Sequence, residues 1–120
     1  MGYLMSNITV YEKPTCTACR KVTKALIEQG IEFEKINYFV EPFTKNKLKS
    51  LLVKLKMKPS ALLRKNDEAY KKLKAKIEQL SEEEILNLMI NNPNLVQRPI
   101  VEKGNNDILA RPPEKIKELF

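Results

Sequence analysis

The sequence predicts an α/β fold, and three observations predict it. The β-branched run Ile8-Thr9-Val10-Tyr11 is followed by a helix-period stretch and then by the alternating Ile31-Glu32-Phe33-Glu34-Lys35-Ile36, the pattern of a β-α-β unit. The middle of the chain carries leucines at helical spacing behind capping residues. Near the end, two short apolar runs flank Gly104-Asn105-Asn106-Asp107, a turn signal.

In chain order, a strand is expected over 7–11 and a helix over 17–29, the helix stopped by Gly30. A half-buried strand over 31–36 follows, parallel to the first with a right-handed crossover. Thr44 caps a helix that places Leu48, Leu51, Leu52 and Leu55 on one face, and Pro59 breaks it. Ser60-Ala61-Leu62-Leu63 reads as one short helical turn, and Tyr70, Leu73 and Ile77 mark a helix over 67–79. Ser81 and Glu84 form a capping box for a helix with Ile85, Leu88 and Met89, ended by Asn92-Pro93. The strands at 100–102 and 108–110 form an antiparallel hairpin. Pro112-Pro113 opens a last helix carrying Ile116 and Leu119. The expectation is a single domain over 1–120: a mixed four-stranded sheet with a helical insertion at about 44–92.

The only two cysteines, Cys16 and Cys19, stand at the start of the first helix, in Lys13-Pro14-Thr15-Cys16-Thr17-Ala18-Cys19-Arg20. With Cys16 at the cap, its sulfur meets unpaired backbone N–H groups and the positive end of the helix dipole, which favour thiolate. Arg20, one turn on, adds a fixed positive charge. Three residues along a helix, the two Cα atoms are about 5–6 Å apart, inside the disulfide window of roughly 4.4–6.8 Å. A cysteine pair at this point of this element order is the thioredoxin-like plan.

Two cysteines in 120 residues are too few for a disulfide scaffold, and in a reducing cytoplasm such a pair reads as redox-active or metal-binding. A closed zinc site needs four ligands, and a chain without histidine could complete one only between subunits, so no metal is expected. No secretory signal or membrane-spanning run is visible. Met1-Gly2-Tyr3-Leu4-Met5-Ser6 fits the loose myristoylation pattern, but Met5 equally reads as an alternative start, and no lipid is expected. The formal charge is +7, yet the lysines are spread along the helices as solvated faces are, so direct nucleic-acid binding is not expected.

Arg64, Arg98 and Arg111 each lie beside a helix or strand end. A guanidinium offers a rigid fork of donors that matches a tetrahedral oxyanion. Sequence spacing does not show whether the three converge.

From about Asn7 to Leu119 the chain resembles the glutaredoxin-coupled arsenate reductases and their Spx-type regulatory relatives. The resemblance rests on Ile8-Thr9-Val10-Tyr11, Cys16-x-x-x-Arg20, Ala61-Leu62-Leu63-Arg64-Lys65-Asn66, Asn94-Leu95-Val96-Gln97-Arg98-Pro99-Ile100-Val101 and Ala110-Arg111-Pro112. It implies that Cys16 is the nucleophile toward arsenate, that Arg64, Arg98 and Arg111 line the oxyanion site, and that the Arg98–Pro99 peptide is cis. It also implies glutathione with glutaredoxin, or thioredoxin, as reductant, no bound cofactor, and a cytoplasmic enzyme. Two positions depart from the reductases. Glu12 stands where they carry a histidine, and the alternation of a strand leaves open whether it faces inward. Cys19 has no counterpart there, so the resolving thiol is either Cys19 or glutathione. Cys16-Thr17-Ala18-Cys19 is closer to the Spx regulators, which implies the alternative of a non-catalytic, disulfide-switched protein binding the RNA polymerase α-subunit.

Overall fold

Strand β1 (Ile8–Glu12) lies inside a four-stranded sheet of order β2-β1-β3-β4, with β2 at Glu34–Asn37, β3 at Ile100–Lys103 and β4 at Asn106–Leu109. The computed structural model describes residues 8–13, 15–104, 106–111 and 113–119, the last without its side chain. The first residue of the expected strand, the myristoylation-like start and Pro112 lie outside the described residues. Two compact units divide the chain: one formed by the residues up to Glu41 and from Arg98 onward, the other by Pro42–Gln97.

In the first unit β1 pairs in parallel with β2, Thr9 opposite Glu34, and antiparallel with β3, Val10 opposite Val101. Helix α1 (Thr17–Glu28) makes the crossover between the two parallel strands. It ends at Gly30, whose φ of +69° suits glycine and allows Ile31 N–H to reach back to the Leu26 carbonyl at 3.0 Å. One core cluster joins the layers: Ile8 and Val10 of β1, Val22 and Leu26 of α1, Val101, Ile108, Ala110 and Ile116. Each side chain of this size adds about 1.5–3 kcal/mol when fully buried, alanine excepted.

Three expectations need correction here. The returning strand is Asn106–Leu109, not 108–110, because Asn106 and Asp107, expected in the turn, pair with Lys103 and Glu102 and extend the ladder toward it. The second strand begins at Glu34, not at 31, because the ladder starts where Thr9 finds a partner. Ile31 and Phe33 nevertheless pack on the core, as their alternation predicted. The last helix, Pro113–Leu119, is 3₁₀. So short a segment has few i to i−4 bonds to gain, and the tighter turn serves to seat Ile116 in the core.

In the second unit, helices α2 (Lys45–Leu55), α3 (Glu68–Ile77) and α4 (Glu82–Asn91) are joined by 3₁₀ turns at Pro59–Leu62 and Pro93–Leu95. The caps are local. Thr44 Oγ1 accepts from Lys47 N–H at 3.1 Å, Asp67 Oδ1 from Ala69 N–H at 2.8 Å, and Ser81 and Glu84 exchange both capping-box bonds. Helix α2 ends at a left-handed Lys56 (φ 58°), three residues before the proline expected to break it. Leu48, Leu51, Leu52, Leu62, Ile85, Leu86, Met89 and Leu95 are buried.

Candidate active site around the cysteine pair

Cys16 is the N-cap of α1, and its sulfur accepts the Cys19 N–H at 3.3 Å. A tight turn delivers it there: Cys16 N–H bonds the Lys13 carbonyl at 2.9 Å, and Arg20 N–H bonds the Cys16 carbonyl at 3.1 Å. Cys16 is half-buried, whereas Cys19 is 0% exposed, and both are free thiols.

The two thiols are driven apart. Burial alone raises Cys16, but bonds from the Cys19 thiol and backbone N–H, together with the Arg98 guanidinium, outweigh it and lower the thiol below its ordinary range. Cys19 is pushed up to about 12, first by burial and then by its bond to Cys16, with the charge of Glu12 adding to the effect. One thiol is therefore the more acidic of the two and the other holds its proton.

Arg98 is 4% exposed. Its guanidinium interacts with the Tyr38 hydroxyl and the Cys16 sulfur, which keep it charged although burial works the other way. Its Nε and Nη1 have no hydrogen-bond partner among the described residues. Buried donors left unmade cost about 1–3 kcal/mol each, more for charged groups. A ligand accepting from them would recover that cost. The Arg98–Pro99 peptide is cis. Arg111 follows β4 and donates from Nη1 to the Arg98 carbonyl at 3.0 Å, which ties it to the same corner.

Arg20 is exposed on α1. The guanidinium that lowers Cys16 is that of Arg98, because burial in a low dielectric strengthens its charge where an exposed group is screened by water. Arg64 belongs to the second unit, where its Nη1 meets Asp67 Oδ2 at 3.1 Å and its N–H bonds the Leu95 carbonyl at 2.7 Å. Glu12 faces inward, 5% exposed.

Tyr38 and Phe39 were not anticipated from sequence. They sit on the turn after β2, shaped by Phe39 N–H donating to Asn37 Oδ1 at 3.0 Å. Tyr38 is buried and pushed up to about 12, chiefly by that burial. Phe39 takes Lys13 Nζ at 4.6 Å and the Arg98 guanidinium at 5.7 Å from its ring centre. A signal existed: in a parallel pair, the residues after β2 come out at the same sheet edge as the cysteine loop after β1.

Among the described residues, no group of three or more His, Cys, Asp or Glu side chains could hold a metal. No helix among them is long and apolar enough to cross a membrane.

The family model described as the ArsC family matches residues 11–119. The chain belongs to the ArsC family. Among its relatives, this ArsC-family chain is 33% identical to an arsenate reductase of Escherichia coli over 97% of its own length and 82% of that protein. It is 33% identical to the global transcriptional regulator Spx 1 of Oceanobacillus iheyensis over 78% of its length and 72% of that protein. Among solved structures, the arsenate reductase from Vibrio cholerae superposes with a TM-score of 0.87 at 31% identity, covering 94% of this chain and 97% of that one. The fold is accordingly thioredoxin-like, with the mixed four-stranded sheet described above.

Proposed function

We propose that this protein is a cytoplasmic thiol-dependent oxidoreductase that reduces a tetrahedral oxyanion of the arsenate class. One observation carries the reading: a lowered Cys16 thiol stands beside a nine-tenths-buried Arg98 with two unpartnered donors. A thiolate and a buried guanidinium aimed at one place suit an anionic electrophile, because the cation holds the anion and offsets the charge developing on it.

In the proposed cycle the Cys16 thiolate attacks arsenic and an oxygen leaves as water, forming a sulfur–arsenic bond. Cys19 then attacks the Cys16 sulfur and a disulfide forms. The electron pair of the sulfur–arsenic bond leaves with arsenic, which passes from the +5 to the +3 state. Thioredoxin, or glutathione with glutaredoxin, returns both thiols to the reduced state. Arg98 binds the anion and Arg111 fixes the Arg98 backbone. The part expected of Arg64 rests on the resemblance alone. The two compact units are taken together as one thioredoxin-like domain whose helical insertion lies between β2 and β3.

Cys19 also supports a second reading, that of a redox-switched regulator contacting the RNA polymerase α-subunit, as the Spx relative suggests. Arsenate turnover separates the two. With purified thioredoxin and its reductase, or with glutathione and glutaredoxin, the reductase reading expects arsenite to accumulate and Cys16→Ser to abolish it. No arsenite with either reductant, together with capture of the α-subunit, overturns it.

A further inference from the structure

Tyr11 of β1 stands opposite Ile100 of β3 in an antiparallel pair. Lys13 and Arg98 lie two residues beyond that pair, at the same end of the sheet, so the register that closes the sheet delivers two cations as neighbours. Like charges side by side repel, the more strongly where water is scarce, and Arg98 is only 4% exposed. The parallel register of β1 with β2, Glu12 opposite Asn37, brings the turn after β2 out at this same end.

That turn presents one ring. Asn37 Oδ1 accepts from Phe39 N–H at 3.0 Å, and the Asn37 carbonyl accepts from Val40 N–H at 3.0 Å and Glu41 N–H at 2.9 Å. The Phe39 ring so held has Lys13 Nζ at 4.6 Å and the Arg98 guanidinium carbon at 5.7 Å from its centre. Both lie within the roughly 6 Å over which the negative face of a ring attracts a cation. A carboxylate would fix the guanidinium by taking its N–H donors. A π face attracts the cation as a whole, and Nε and Nη1 stay without a hydrogen-bond partner among the described residues. Lys13 is tied to the cysteine loop as well, since its carbonyl accepts from Cys16 N–H at 2.9 Å.

We propose that Phe39 is the positioning residue of the anion site and that Lys13 is the site's second cation. The ring seats the Arg98 guanidinium with two donors open. It also holds Lys13, half-buried and the more accessible of the two cations, where an arriving anion meets it first. A dianion that touches both charges removes their mutual repulsion, so the pair is stabilised by what it binds. Neither residue belongs to the three-arginine set that the resemblance implies. The inference rests on the reading of Arg98 as the holder of an oxyanion, but not on arsenate being reduced.

Calorimetric titration of the whole reduced protein with sulfate tests it. Phe39→Leu keeps an apolar side chain and removes the π face, and it should weaken sulfate about 10-fold. Phe39→Tyr and Phe39→Trp, which keep a ring, should retain most of the affinity. Lys13→Gln should weaken sulfate about 3-fold at low salt, and this loss should fade as salt rises, because a half-exposed charge is screened. In Phe39→Leu the pH midpoint of Cys16 alkylation should also rise toward that of Arg98→Ala, because the guanidinium no longer keeps its place. A ring needed only for packing would leave that midpoint unmoved. Wild-type affinity in either Phe39→Leu or Lys13→Gln overturns the proposal. Equal losses in Phe39→Leu, Phe39→Tyr and Phe39→Trp also overturn it, since they mark a requirement for shape alone. If Phe39→Leu loses its circular dichroism, Lys13→Gln and its salt dependence decide the matter. Sulfate affinity lost in Arg98→Ala but kept in Phe39→Leu and Lys13→Gln leaves Arg98 in its role and refutes only this inference. A wild-type protein that takes up neither sulfate nor arsenate refutes the anion site itself.

Discussion

Arg111 donates from Nη1 to the carbonyl of Arg98, at 3.0 Å. Under the proposed function the two arginines act on the anion through this shared contact, one by its unpartnered donors and the other by holding the first in place. Arg98→Ala and Arg111→Ala should each weaken sulfate or arsenate binding by about 1.5–3 kcal/mol, the worth of a charge-assisted hydrogen bond. In the double variant the losses should fall short of their sum, since neighbours that share a contact do not add. Calorimetric titration of the four proteins measures both quantities, and strictly additive losses would refute the shared contact. Arg64→Ala, titrated alongside, tests the part that rests on resemblance.

Cys16 should alkylate faster than Cys19 at every pH below about 9. Its rate should titrate below the free-cysteine value of about 8.5, because hydrogen bonds from Cys19 and the Arg98 charge outweigh burial. Arg98→Ala should move that midpoint upward. Iodoacetamide labelling across pH, read by peptide mass spectrometry, checks both statements. A midpoint unmoved in Arg98→Ala would show that the helix cap alone activates the thiol.

Peroxide should convert the wild-type protein to an intramolecular disulfide, detected as the loss of two hydrogens. Cys19→Ser should lack this form. It should also lose turnover supported by thioredoxin and keep any supported by glutathione. If the variant behaves as wild type in both assays, Cys19 is a buried core residue and nothing more.

Stability should fall steeply in alkali. Tyr38 and Cys19 are held protonated up to about 12 in the folded state, against ordinary values of 10.0 and 9.0. Between about 9 and 12 the unfolded chain has released those protons and the folded one has not. The unfolded state then binds fewer protons, so the free energy of unfolding drops as pH rises through this window. Tyr11 is shifted in the same direction, by its burial and its bond to Glu102. Urea melts at stepped pH should show the decline, and Tyr38→Phe should flatten part of it. A flat profile between pH 9 and 12 would contradict the burial of these groups.

Much of the local chemistry was legible in the sequence, because caps and turns are decided within a few residues. Cys16 at the helix start, the Ser81–Glu84 box, the Thr44 cap and the hairpin around Gly104 all follow from short-range hydrogen bonding. What was not legible depends on residues distant in sequence. The burial of Glu12 and the choice of Arg98 over Arg20 as the charge beside Cys16 are set by packing between elements. So is the placing of Tyr38 and Phe39 at the site, which periodicity does not encode. Lys56 in a left-handed conformation shows the same limit on a smaller scale: glycine usually marks such a helix end, and here the chain stops without it.

The site is completed from both ends of the chain, and this sets an order on synthesis. β1 and the cysteines leave the ribosome first, with β2 and α1 soon after, but β1 pairs with β3 only once Ile100–Lys103 has been made. The intervening helices have local caps and close contacts of their own and can begin to order while they wait. Throughout that interval Cys16 has only the local hydrogen bonds from Cys19 to lower its thiol, since Arg98 has not been translated. The nascent chain thus carries a less acidic thiol through the crowded stage of its making, and the full lowering comes only when its last strands are in place.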